Sequence, residues 1–337
     1  AIPLTRPRAV LITNLFRDQL DRYGEVDSVR SLWEEAVASV PEDTIIVLNA
    51  DDPAVASLGS SARGPTIFFG VDDKRLGRRS LEHAADSLYC LKCGRAYEYA
   101  PSFYAHLGHY SCPQCGVVRP SPQVTADRIA FQDLDRTQFE LSTPQGHAAV
   151  SLDLGGLYNV YNALAAAAAC LALGVPLPVI REALARFTPA FGRMERLDIE
   201  GRRVCLILVK NPTGFNQVLH TLAQGQQPHT LLMVLNDQIA DGQDVSWIWD
   251  VDFDGLEGVK LVVSGLRAED LALRLKYAGL AVPHELVQRD PAAALDRALE
   301  VTPVGSTLYV LPTYTAMLAL QRHLAHRGHR RHYWEEG

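Results

Sequence analysis

Four of the six cysteines form two pairs, Cys90 with Cys93 and Cys112 with Cys115, separated by eighteen residues. Thiolates at this C-x2-C spacing are ligands for a soft divalent ion, and two such knuckles complete a tetrahedron. Each pair is followed by a glycine, Gly94 or Gly116, which tolerates the positive φ that turns backbone amides toward sulfur. Two disulfides are the competing reading, but no secretory signal accompanies them, so the pattern predicts zinc. Four thiolates leave no open coordination position, which makes the site structural. The segment between the pairs, with Tyr97, Tyr99, Phe103 and Tyr104, is too short for a large core, so the metal is expected to hold it folded. Cys170 and Cys205 read as small buried apolar residues.

Three other groups could do chemistry. Residues 236–254 hold six carboxylates, including Asp241, Asp244, Asp250 and Asp252, together with Trp247 and Trp249. A solvated acidic loop has no need of tryptophan, which is enriched at interfaces. An Asp among aromatics is suited to orient a histidine, as in catalytic triads; a capped helix with core tryptophans is the alternative. Asn159 and Asn162 share a helix face and suit either capping or a hydrogen-bonding ligand such as a base. Arg193 could clamp a phosphate with two parallel hydrogen bonds. The loop 14–24 packs Arg17, Asp18, Asp21 and Arg22 together, and by itself reads more simply as a helix cap with surface ion pairs.

The elements that must position these groups alternate. Buried strands are predicted at 8–13, 44–48 and 66–69, with a helix at 28–39, which implies a parallel sheet with crossovers. The cysteine segment, 88–119, interrupts this pattern as an inserted finger. Three alternating stretches, 128–131, 138–142 and 148–152, predict antiparallel strands, and helices follow at 157–173 and 178–186. The pattern resets near 188–196, where the domain boundary is placed. Beyond it, strands at 203–209, 230–235, 259–263 and 307–311 alternate with helices at 213–223, 268–277, 291–299 and 314–326, a Rossmann-like unit whose site is expected at the carboxyl ends of its strands.

With 337 residues, 47% hydrophobic and 21% charged, the chain has the composition of a globular protein of about two domains, not of a disordered chain or coiled coil. No apolar run reaches the roughly 18–20 residues of a membrane span, so an integral membrane protein is not expected. The balance of 32 basic against 39 acidic residues argues against nucleic acid, and the basic run 322–332 reads as a solvated helix end. The chain begins at Ala1, not Met, and enters a strand within a few residues, so its natural N-terminus is expected upstream.

Taken together, TNLFRDQLDRYGE, LNADDP, GLYNVYNALAAAAACLALG and FGRMER resemble the Mur ligase superfamily. VKNPTGFNQVL, LNDQIADGQDVSWIWDVDF, LPTYTAMLAL and the cysteine insertion resemble its MurT-type branch, the ligase subunits of lipid II isoglutaminyl synthase. The implied fold class is α/β. Residues 1–190 would be a Mur ligase central domain, a partial parallel sheet with a zinc ribbon inserted at about 88–119, and 191–337 a Rossmann-like C-terminal domain. The implied activity uses ATP and Mg to activate the α-carboxyl of D-glutamate in the lipid II stem peptide as an acyl phosphate, which ammonia attacks. That ammonia would come from a GatD-type glutaminase subunit with a Cys-His pair, and the work would be done in the cytoplasm at the inner membrane face.

The resemblance also implies roles for single residues. An Asp of the DGxDxSWIWDxDF segment would complete the glutaminase site; Asp250 is taken as the acting one, ahead of Asp244, Asp252 and Asp241. Asn162 would contact adenine, Arg193 would reach the ATP phosphates, and Lys210 would lie near the reacting phosphate. The pattern departs from the family in three places. No G-x-x-x-x-G-K-[ST] loop occurs in the chain; in the family it lies upstream, so this chain alone is expected to bind ATP poorly and to be inactive. Gln19 stands where relatives place a magnesium-binding His, and Trp33 where many place a carbamylated Lys. Two other readings remain: a stand-alone Mur-type amide ligase without a glutaminase, and a zinc-ribbon interaction module, whose ribbon sets Lys92, Arg95, His106 and His109 against Glu98.

Overall fold

The apolar runs at 8–13, 44–48 and 66–69 become strands β1 (Ala9–Ile12), β2 (Ile45–Asn49) and β3 (Thr66–Val71). The structure, a computed structural model, describes residues 6–18, 24–78, 81–82, 85–132, 136–187, 193–224 and 230–329. Two compact units divide the chain: Ala1–Arg17 with Tyr23–Phe187, and Thr188–Gly337 with Asp18–Arg22.

In the first unit, β1, β2 and β3 pair in parallel. The helices α1 (Val26–Ser39) and α2 (Pro53–Ser57) form the crossovers' helical parts. Asp52 caps α2 by accepting from the amides of Ala54 and Val55. The inserted segment contributes the hairpin β4 (Glu98–Tyr104) and β5 (Leu107–Ser111). The chain then rejoins the sheet as β6 (Val124–Gln132), parallel to β3, and continues through β7 (Arg136–Thr143) and β8 (Gly146–Leu152) as an antiparallel meander. The sheet order is β1-β2-β3-β6-β7-β8. Thr137, Phe139 and Leu141 point into the core from β7 while Arg136 and Gln138 face out, the period-two pattern of a sheet covered on one face. Helices α3 (Leu157–Ala172) and α4 (Leu177–Ala185) follow, and the small buried side chains Ala163, Ala165, Ala167 and Ala168 let α3 lie close to the sheet.

The insertion differs from a finger standing on its metal alone. Its hairpin tip, Phe103, Tyr104, Ala105, His106 and Leu107, is buried. Tyr104 packs edge-on against Tyr161 of α3 at 5.6 Å, and His106 lies 4.8 Å from the Phe16 ring beyond β1. Gly108 donates its amide to the Asp51 carbonyl at 3.0 Å. Tyr97, Tyr110, Cys90 and Cys112 share an apolar cluster with Ala56 of α2 and Phe68 of β3. The core that the segment lacks by itself is therefore supplied by the sheet it interrupts. Cys170 also differs from expectation: it is half-buried, whereas Cys205 is fully buried.

One buried carboxylate joins these parts. Asp51, fully shielded from water, accepts from Arg119 Nε at 2.5 Å, the Val71 amide at 2.7 Å and the Tyr161 hydroxyl at 2.7 Å. Arg119 leaves the insertion and pairs also with Asp72 at 3.0 Å. A Cβ on Gly70 would fall 2.7 Å from Arg119 Nη2 and 2.8 Å from Asp51 Oδ1, so β3 needs glycine there. Burial, and then the neighbouring Asp51 charge, push the Tyr161 hydroxyl well up, so it stays a donor.

The second unit is a sheet of order β13-β12-β11-β14-β10-β9. Its strands are β9 (Arg193–Ile199), β10 (Arg202–Ile207), β11 (Thr230–Val234), β12 (Lys260–Ser264), β13 (Val287–Gln288) and β14 (Thr307–Pro312). All neighbours are parallel except β9, which runs antiparallel along β10. The helices are α5 (Pro212–Gln224), α6 (Ala268–Tyr277), α7 (Pro291–Val301) and α8 (Tyr314–His326). Val204, Leu206, Leu232, Val262 and Val310 form the core with Ala294 and Leu320 from α7 and α8. Strand β9 was not expected from the sequence. It carries a bulge at Met194, φ +59°, where the register with β10 shifts. Among the described residues no helix is long and apolar enough to cross a membrane.

Removing the partner of a buried charge costs about 3–5 kcal/mol. Arg119→Met should therefore lower the first unit's stability by that order in urea denaturation. Burial already pushes the Asp51 carboxyl above its ordinary value, so the loss should be smallest where Asp51 is protonated in both proteins and grow as pH rises through that raised pKa. A pH-independent change below about 1 kcal/mol would contradict the role given to Asp51.

Candidate functional site

The four cysteines converge because each knuckle is a backbone turn. Gly94 donates to the Cys90 carbonyl at 2.8 Å and Gly116 to that of Cys112 at 3.1 Å, both glycines at φ +73°. The four sulfurs lie within 4.8 Å of one another, with Cys90–Cys115 and Cys93–Cys112 both at 3.5 Å. A tetrahedron with Zn–S bonds of about 2.3 Å has edges of roughly 3.8 Å, so the donor set fits a structural zinc ion. Burial raises the Cys90 thiol, but the amides of Lys92 and Cys93 outweigh it and bring it down to about 6. Cys112 is likewise lowered by the amides of Cys115 and Gln114, against burial. Cys93 and Cys115 also receive an amide each, from Arg95 and Val117, but burial and the neighbouring sulfurs outweigh it and push both thiols up, a repulsion that a bound cation would relieve. Among the described residues this is the one group of His, Cys, Asp or Glu side chains close enough to hold a metal.

The second unit places the acidic aromatic segment at the carboxyl end of β11, where a parallel sheet is expected to carry its site. Residues Ser246–Asp250 form a short 3-10 helix. The carboxylates sort by partner. Asp241 is buried and accepts from the Thr315 amide at 2.8 Å and the Gln238 amide at 3.2 Å, tying the loop to the first turn of α8. Asp244 accepts from the Ser246 amide at 2.8 Å and hydroxyl at 2.9 Å. Asp252 accepts from the Asp254 amide at 3.0 Å. Asp237 pairs with Arg267 at 3.1 Å, and Arg267 also holds Asp270. Asp250 ends the 3-10 turn. Beside it Trp249 is 51% exposed and packs against Tyr277, 74% exposed, with ring centroids 5.6 Å apart. Ile248, Val251 and Phe253 anchor the turn from below.

Two residues that sequence reasoning missed hold this turn. Asn216 of α5 donates Nδ2 to the Asp250 carbonyl at 3.4 Å and accepts the Asp252 amide at 2.8 Å. Arg274 of α6 donates Nε to the Ile248 carbonyl at 3.2 Å and Nη2 to that of Val251 at 2.6 Å. Its guanidinium also lies over the rings of Trp249, at 5.6 Å, and Phe253, at 5.0 Å.

The nucleotide candidates lie apart in the chain. Asn162 is exposed on the first turns of α3, and its Nδ2 is 3.5 Å from Asn159 Oδ1; Asn159 itself donates to the Gly155 carbonyl at 2.7 Å. Arg193 opens β9, opposite Ile207. Lys210 pairs with Asp18, within the second unit, at 2.7 Å. Arg17 pairs with Asp86 at 2.6 Å, so this loop does hold ion pairs. Trp33 packs on the core beneath α1, and Gln19 lies outside the described residues.

Residues 208–317 match the MurT ligase C-terminal family, and residues 2–100 match the Mur ligase middle domain. The MurT subunit of lipid II isoglutaminyl synthase (glutamine-hydrolyzing) from Streptococcus pneumoniae is 31% identical over 96% of this chain and 71% of its own length. The chain belongs to the MurT family. The MurT subunit from Staphylococcus aureus is 32% identical over 94% of this chain and 70% of its own. Among solved structures, a pseudomurein peptide ligase type C from Methanothermus fervidus superposes with a TM-score of 0.72 at 25% identity, covering 95% of this chain. MurF from Acinetobacter baumannii shares the fold, with a TM-score of 0.66 at 20% identity over 96% of this chain. The chain spans 63% and 60% of those two structures.

Two outcomes check the assignments within this MurT-family chain. Cys112→Ser should reduce bound zinc from about one ion per chain to nearly none by atomic absorption, because four thiolates are needed to close the site. Undiminished zinc content would sink the metal assignment. Asp241→Ala should cost about 1–2 kcal/mol in denaturant unfolding, the size of a lost helix cap, whereas Asp244→Ala should stay within about 0.5 kcal/mol, as exposed substitutions do.

Proposed function

We propose that this chain is the ligase subunit of a glutamine-dependent isoglutaminyl synthase. It amidates the α-carboxyl of D-glutamate in the lipid II stem peptide, in peptidoglycan synthesis, with ammonia from a GatD-type glutaminase. ATP with Mg supplies the activation of the carboxyl. The first unit takes the part of the Mur ligase central domain, and Asn162, Arg193 and Lys210 are the candidates to meet the nucleotide. The chain works in the cytoplasm, at the inner face of the membrane that carries its substrate.

One arrangement carries the reading: Asp250 closing a rigid turn beside the exposed Trp249–Tyr277 pair. Large aromatic groups standing out of a surface are the anchors of protein interfaces. A carboxylate among them, once a partner excludes water, can accept from a histidine Nδ1–H and hold the imidazole in the tautomer that takes a proton from a cysteine thiol. Asp250 thus serves the partner's hydrolysis of glutamine and leaves the ligase chemistry to the rest of the chain.

In the reconstituted complex of the full-length protein with its glutaminase, Asp250→Asn should lower glutamine-dependent amidation by about three to four orders of magnitude. Amidation driven by added ammonium chloride should be spared. Equal loss of both activities would place Asp250 elsewhere in the mechanism. Absence of any complex would favour a ligase that works alone.

A further inference from the structure

A five-residue 3-10 turn at a surface cannot satisfy its own last carbonyls, and it frays unless other groups take them. Here two side chains do so, from helices that are distant in sequence. Asn216, buried on α5, takes the carbonyl of Asp250 and the amide of Asp252. Arg274, from α6, takes the carbonyls of Ile248 and Val251 with two different nitrogens of one planar fork. The peptide units on either side of Asp250 are thus held by side chains from two other helices. The Arg274 guanidinium also lies 5.6 Å from the centroid of the Trp249 ring, while Tyr277, three residues on along α6, meets the same ring.

An aspartate carboxylate swings through two rotatable bonds among preferred positions, and the backbone orientation fixes the base from which those positions project. Asn216 and Arg274 fix that orientation. We propose that they are positioning residues that aim Asp250 at the partner's histidine, and that Arg274 sets the angle of Trp249 in the docking surface with the same guanidinium. The inference rests on the reading of Asp250 as the carboxylate lent to a glutaminase. Lysine at 274 would keep the charge but lose the fork that spans two carbonyls.

The test uses the full-length chain in complex with its GatD-type glutaminase and compares Asn216→Leu, Arg274→Gln, Arg274→Lys, Asp250→Asn and the double variant Asp250→Asn/Arg274→Gln. The readouts are kcat and KM for glutamine hydrolysis, its pH profile, the partner Kd and thermal unfolding. A misplacement on the order of 1 Å costs about 100-fold in rate. Asn216→Leu and Arg274→Gln should lower kcat by about 10–100-fold, with KM and Kd within about threefold. Arg274→Lys should recover only part. An aligned carboxylate raises the histidine pKa, so the acid limb of kcat/KM should move to lower pH in both variants. In the double variant the loss should equal that of Asp250→Asn alone, because an unaimed carboxamide has nothing further to lose.

If Asp250→Asn abolishes hydrolysis but the two clamp variants retain wild-type kcat and pH profile, the positioning role is overturned and the reading of Asp250 stands. Losses that track unfolding temperature and Kd, and that add in the double variant, reduce both residues to structural supports and also overturn it. If Asp250→Asn hydrolyses glutamine normally, the reading of Asp250 fails and the inference falls with it.

Discussion

Withdrawing a carboxylate from water costs several kcal/mol unless its oxygens find charge and hydrogen bonds together. Asp51 stands under that constraint, and its solution organises the first unit. The oxygens are met by a guanidinium from the exit of the zinc ribbon, an amide of β3 and a hydroxyl from α3. None of these groups is near another in sequence, so the carboxylate is satisfied only when sheet, ribbon and helix are all in place. The rotation of α3 follows. With Tyr161 pinned inward on Asp51, the next residue, Asn162, turns about 100° around the helix and emerges on the exposed face.

The second unit solves a different problem. Its demanding groups are the backbone carbonyls of a short turn, and side chains of Asn216 and Arg274 answer them. The six carboxylates of residues 236–254 then divide the labour: Asp241 binds the loop to α8, Asp237 engages Arg267, and Asp244 and Asp252 fold the chain locally. A composition that looks uniformly acidic thus divides among distinct structural tasks.

What the sequence made legible follows from the range of the interactions. Helices α6 and α8 fall on the residues their periodicity marks, 268–277 and 314–326, because amphipathic spacing is local. The parallel strands β1, β2, β3, β10, β11, β12 and β14 were legible as apolar runs, and the cysteine knuckles as a spacing rule, whereas the two-residue β13 and the parallel pairing of β6 with β3 were not. Strand β9 was not, because RMERLDI carries four charges in seven residues, which an edge strand tolerates but which gives no apolar run. The burial of Phe103 to Leu107 was invisible because the groups that pack on them, Phe16 beyond β1 and Tyr161 of α3, are distant in sequence. Arg274 lies 24 residues beyond Asp250, and nothing in its neighbours marks it. The one hint was Asn216 within PTGFNQ, an amide in a helix where amides are unfavourable.

The buried hairpin tip has a consequence for the metal. A ribbon that stood free could lose its ion and unravel while the rest of the chain stayed native. Here the strands that lead from the thiolates run directly into the packing around Tyr161 and Phe16. Chelation or oxidation of the sulfurs would therefore be felt as a loosening of the sheet and of α3, the helix that carries Asn162, and the availability of zinc becomes a condition on the maturation of the whole first unit.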